Sequence, residues 1–178
     1  MAPEPPYQPG VCLTATEAEL GRLINDYRAE QDLPPVALSL SLSHVAQVHV
    51  VDLHENRPDT GTDSRGMECN LHSWSDKGDW TPVCYTSDHR YAERMWIKPW
   101  EITKEVYSDN GFEIASKGAS TAAEALDLWK QSPGHNNMII EAGNWGEWQA
   151  MGVGFYEEYA VVWFGEQEDP QGTIPVCK

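Results

Sequence analysis

A chain of 178 residues fits one domain, and 40% hydrophobic residues, with eight Trp and seven Tyr, supply bulky apolar material for a core. Acidic side chains outnumber basic ones 28 to 12, a net charge of −16. Such a surface repels phosphate backbones and anionic headgroups, which argues against nucleic acid as a partner. No run approaches the ~18–20 apolar residues of a membrane span.

The sequence predicts a tail over residues 1–12, a domain over 13–168 and a C-terminal tail over 169–178. In the domain, Thr14 and Glu17 form a capping box for a first helix, with Leu13 placed as a hydrophobic staple. Leu20, Leu23, Ile24 and Tyr27 then make one apolar stripe, which must end before Leu33-Pro34-Pro35. A second helix starts at Ser39 or Ser41 and carries Leu42, Val45, Ala46, His49 and Leu53 on one face, up to Pro58.

From Asp59 to Lys104 periodicity fades into a long loop rich in Asp, Ser, Gly and Trp, with room for one helix within Asp88–Lys98. The stretch Val106–Ala115 suits a strand. Thr121 and Glu124 repeat the capping-box spacing ahead of a helix through Trp129, and Ser132-Pro133 opens a short helix through Ile140. Strands at Trp148–Tyr156 and Tyr159–Gly165 flank Glu157-Glu158 as a tight hairpin. Helices first and strands last give an α+β class, with helices packed on a small antiparallel sheet.

Cys12, Cys69, Cys84 and Cys177 are even in number and lack a CxxC pair, which favours two disulfides over a structural zinc and implies an oxidising compartment. Three connectivities exist. Cys69–Cys84, closing a short polar loop, with Cys12–Cys177, tying the termini, is preferred. The proline-rich opening suggests a mature N-terminus behind an initiator Met, with a signal peptide removed and the protein secreted or periplasmic.

Chemistry narrows to a few side chains. His44 and His54 are expected on solvent-facing turns, His89 on the surface, and His49 as a hydrogen-bonded core histidine. His72 stands just inside the proposed Cys69–Cys84 staple, which fixes its backbone. His135 falls in the first turn of a short helix, whose dipole lowers its basicity and favours the neutral imidazole that binds metal. There is no HExxH, GxSxG, GxGxxG or GxxxxGK[ST] motif. The Asp59/Asp63 and Asp109/Asn110/Gly111 groups read as ordinary turns rather than calcium sites.

Taken in order, several pieces resemble the CAP superfamily, or SCP domain, which includes antigen-5, pathogenesis-related and many bacterial secreted proteins. They are Leu23-Ile24-Asn25-Asp26-Tyr27-Arg28, Leu33-Pro34-Pro35, Val45-Ala46-Gln47-Val48-His49, Met151-Gly152-Val153-Gly154 and Trp163-Phe164-Gly165. The strongest is Trp129-Lys130-Gln131-Ser132-Pro133-Gly134-His135, similar to the family's W-x-x-S-P-G-H segment. The resemblance covers residues 13–58 and 105–168 and leaves 59–104 as a long insertion. It implies an α-β-α sandwich and a cleft of two histidines and one or two glutamates that can take a divalent cation, zinc foremost.

Carried over, the ligands are His72, His135 and Glu113, with Glu113 also a candidate general base. Gly111-Phe112-Glu113-Ile114-Ala115 departs from the family's G-E-N-I-A by one place, and Ser132 stands where a second glutamate is usual. The resemblance leaves three functions open. The first is a non-catalytic, monomeric extracellular module, its cleft binding a metal or small ligand and its aromatic loops, with Trp74, Trp80, Trp96 and Trp100, contacting an unknown partner. The second is a metal-dependent, protease-like hydrolase, and the third a lipid or sterol carrier.

Overall fold

A computed structural model describes residues 6–178. In chain order the elements are α1 (Ala15–Glu30), α2 (Leu40–Asn56), α3 (Ala92–Trp96), α4 (Lys98–Ile102), β1 (Gly111–Lys117), α5 (Ala122–Lys130), α6 (Pro133–Ile139), β2 (Ala150–Tyr156) and β3 (Tyr159–Gly165). The strands form one antiparallel sheet in the order β1-β3-β2. Helices cover both of its faces, so the predicted α+β sandwich is the architecture found.

β3 shows why the sheet needs both layers. Its side chains alternate: Ala160, Val162 and Phe164 enter the core beneath α1, α5 and α6, while Tyr159, Val161 and Trp163 enter the core beneath α2, α3 and α4. All six are fully buried. On β2 the residues facing α2 include two glycines. A Cβ on Gly152 would lie 2.0 Å from the carbonyl carbon of Leu42, and one on Gly154 2.5 Å from the carbonyl oxygen of Ala46. The helix backbone therefore rests directly on the strand, with Ser43 Oγ accepting a hydrogen bond from the Val153 amide at 3.3 Å.

Caps set the helix starts. Thr14 and Glu17 close a complete capping box on α1. Ser39, rather than Ser41, caps α2, its Oγ accepting from the Leu42 amide at 2.9 Å. Arg57 turns into the left-handed region and ends that helix one residue before Pro58. On α5, Thr121 accepts from the Glu124 amide, but the Glu124 carboxylate reaches one residue further back, to the Ser120 amide.

Between Asp88 and Lys98 the chain makes a one-turn helix, and a second follows at once, because Pro99 deprives that stretch of a backbone donor. The first strand begins at Gly111, later than Val106, since the Asp109-Asn110 turn precedes it and Tyr107 is held down by its amide on Thr103 Oγ1 and its hydroxyl on the Gln167 carbonyl.

Both disulfides of the preferred pairing are present, Cys12–Cys177 and Cys69–Cys84. Residues of both tails that are described are built into the fold. Residues 1–5 of the expected N-terminal tail lie outside the described residues, but Tyr7 stacks on Tyr156 and the Gly10 amide donates to Gln47. At the other end Asp169 accepts hydrogen bonds from Ser39 Oγ, Ser41 Oγ and the Ser41 amide, and Leu13 pairs with Val176. Among the described residues no helix is long and apolar enough to cross a membrane.

Candidate functional site

The site grows from the edge strand β1. Glu113 opposes Trp163 of β3, and strand alternation turns its carboxylate toward α2, where burial is complete. A lone carboxylate there would be prohibitive, so each of its oxygens finds a donor. Oε2 lies 2.5 Å from Nδ1 of His49, and Oε1 lies 2.7 Å from Nδ1 of His72. Burial pushes the Glu113 carboxyl up, but the two imidazoles outweigh it and hold it below the usual carboxylate range.

His49 is wholly buried in the middle of α2, as its place on the apolar face predicts. Its Nε2 lies 2.8 Å from the carbonyl oxygen of Ser73. Carbonyl and carboxylate oxygens both accept, so meeting both requires a proton on each ring nitrogen, the imidazolium form. Trp74 stacks on this ring, centroids 4.0 Å apart and planes 5° from parallel, an arrangement that suits a cation over an indole face.

The loop carrying His72 is held on several sides. The Cys69–Cys84 bridge sits beside it, the Asn70 amide donates to the Tyr85 carbonyl, the Tyr85 amide donates to Ser73 Oγ, and Trp74 and Val83 exchange both backbone bonds. From α2, Asp52 accepts the amide and hydroxyl of Ser75. Nδ1 faces the Glu113 carboxylate, so a proton on it leaves Nε2 as the ring's other nitrogen, and the side chain keeps 21% of its surface in water. Tyr85 meets the ring edge-on at 5.2 Å, and its hydroxyl is pushed up by burial and then by the charge on Glu113.

His135 sits half-buried in the first turn of α6. Its basicity is lowered, as the sequence predicts, but through burial first and the neighbouring His72 second. Ser132 occupies the N-cap position without a side-chain capping bond.

Glu113 is tied to His49 and His72, and no contact between it and His135 is seen among the described residues. Each of its oxygens is engaged by one imidazole, Oε2 by His49 and Oε1 by His72. Among the described residues no trio of His, Cys, Asp or Glu is arranged to hold a metal ion.

The remaining histidines differ in part from expectation. His89 is exposed, as predicted, and contacts Tyr85. His44 and His54 are half-buried: Gly10 packs on the His44 ring, and Tyr156 meets His54 edge-on. Two open depressions, of about 490 and 250 Å³, lie in the long loop, and neither is lined by His72 or His135.

A profile of the cysteine-rich secretory protein family, CAP, matches residues 22–164. The chain belongs to this family. This CAP chain is also similar to three solved structures. A cysteine-rich secretory protein from Staphylococcus aureus shares 12% identity at a TM-score of 0.55, with 85% of this chain and 39% of that one covered. An extracellular protein containing an SCP domain from Bacillus anthracis shares 18% at 0.57, covering 85% and 40%. An outer surface protein from Borrelia burgdorferi shares 18% at 0.52, covering 85% and 92%. These likenesses concern the fold, and the CAP chain spans about two fifths of the length of the first two. No curated protein matches it in sequence.

Proposed function

We propose that this CAP domain is a non-catalytic module of a secreted protein, and that His72 and His135 together bind a divalent cation, zinc foremost, or a small ligand. The reading is supported by the His72–Glu113 hydrogen bond of 2.7 Å, which in the neutral ring leaves the lone pair on Nε2, and by the partial exposure of both His72 and His135. A carboxylate behind a ligating imidazole fixes its tautomer and raises its basicity. Two nitrogen donors suit a borderline cation and leave its other positions to water or an external ligand.

The hydrolase reading loses support at Glu113, since a carboxylate with both oxygens engaged by imidazoles is poorly placed as a general base. Secretion is supported by the two disulfides and by likeness to an extracellular and an outer surface protein. The Trp-rich segment 59–104 is the natural surface for contact with a partner.

Calorimetric titration of zinc into the chelator-treated protein tests the cleft. One cation per chain is expected, with affinity falling roughly 10-fold or more in His72→Ala and in His135→Ala. Equal affinity in parent and both variants would overturn the assignment.

A further inference from the structure

The depression of about 490 Å³ lies between the turn at Gly78–Thr81 and the short helix α4. Two indoles line it. Trp80 is fixed: its Nε1 donates to the Ser75 carbonyl at 2.8 Å, its ring meets Trp74 edge-on at 5.1 Å, and its other side packs on Gly78, where any Cβ would collide with it. Trp100 is 44% exposed, a large apolar ring left facing water. The two walls are joined by Glu101, which accepts from the Thr81 amide at 2.6 Å and from the buried Lys98 at 2.7 Å. The groove is therefore preformed.

Its charge indicates the occupant. Asp79, Glu101 and Glu105 line the groove against one lysine, Lys104, on a chain of net charge −16. Lys104 pairs with Asp79 in an exposed contact, which is weak and readily exchanged. Glu105 has no ion-pair partner among the described residues. An anion is repelled here, and a lipid tail would strip water from carboxylates without repayment. A guanidinium satisfies both wall types, stacking on the exposed Trp100 ring and donating hydrogen bonds to the carboxylates.

We infer that this groove docks an arginine-bearing basic segment of a partner protein. The inference rests on the partner-contact part of the proposed function and is independent of the His72–His135 site.

The test titrates the peptide Arg-Gly-Arg-Gly-Arg into the intact protein, following tryptophan fluorescence at two salt concentrations. Saturable binding is expected that weakens roughly 5-fold or more in Trp100→Ala and about 3-fold in Glu105→Gln. Glu30→Gln, an equal charge change at the end of α1, should leave it unchanged. If Trp100→Ala binds like the parent, or if Glu30→Gln weakens binding as much as Glu105→Gln, the peptide senses only net charge and the inference falls. A neutral chitin oligosaccharide serves as the second probe. If it binds through Trp100 while the peptide does not, the basic occupant is wrong but the contact surface stands. If neither probe depends on Trp100, both fall.

Discussion

His49 and Glu113 meet at 2.5 Å with both side chains wholly removed from water. Removing one member of such a pair strands the other's charge in the interior, which costs about 3–5 kcal/mol. Glu113→Gln and His49→Gln should each lower the unfolding free energy read from urea titration by an amount of that order. The double variant should lose clearly less than the two losses combined, because the stranded charge is gone. Additive losses would show that the two groups are not coupled. Glu113→Gln should also weaken zinc binding roughly 10-fold by releasing the His72 tautomer, an effect to be read at a temperature where the variant is fully folded.

The sequence made the fold legible and the site partly so, for different reasons. Helix caps, the β3 alternation and the disulfides are local or pairwise signals, written at Thr14, Ser39 and the four cysteines. Histidines 72 and 135 stand in recognisable segments. His49 shows where sequence reading stops. Its apolar helix face announces burial, but its partner lies on a strand 64 positions away, and only the sheet register turns Glu113 toward α2. Asp52, one turn further along the same helix, was similarly silent: nothing local says that a carboxylate on α2 will anchor Ser75.

The short disulfide bears on both stability and site. Replacing Cys69 and Cys84 by serine opens a loop of 15 residues and should cost about 3 kcal/mol. Amide exchange should accelerate at Trp74 and Val83, which pair across that loop, more than at β3. Equal exchange at Trp74 with and without the bridge would show that the hydrogen bonds alone hold the His72 loop.

Two glycines predict opposite outcomes for the same change. Gly152→Ala drives a methyl group into the α2 backbone and should cost about 3 kcal/mol or more, since neither the helix nor the central sheet can yield cheaply. Gly134→Ala meets nothing within 4 Å in the first turn of α6 and should stabilise by about 0.4–1 kcal/mol. Thermal melts of the two variants check both signs.

Glu17 gives the pH dependence. It is fully buried against Gln47, Thr14 and Tyr7, and burial raises its carboxyl to about 7 despite those hydrogen bonds. A raised carboxyl means that the folded state holds the proton more tightly than the unfolded one. Its contribution is therefore complete below about 4.5 and is lost as pH rises through about 7. At 1.36 kcal/mol per unit the span corresponds to at most about 3 kcal/mol. Glu17→Gln keeps the shape and cannot ionise, so the variant should gain on the parent steadily from pH 5 to pH 8 in urea titrations. Asp63, held low by the Met67 amide and then by Arg65, and Asp88, held low by Arg65, titrate below that window, and the histidines are common to parent and variant. Parallel curves for parent and variant between pH 5 and 8 would mean that Glu17 stays ionised in the folded protein, with Gln47 and Thr14 supplying enough hydrogen bonding to offset its burial.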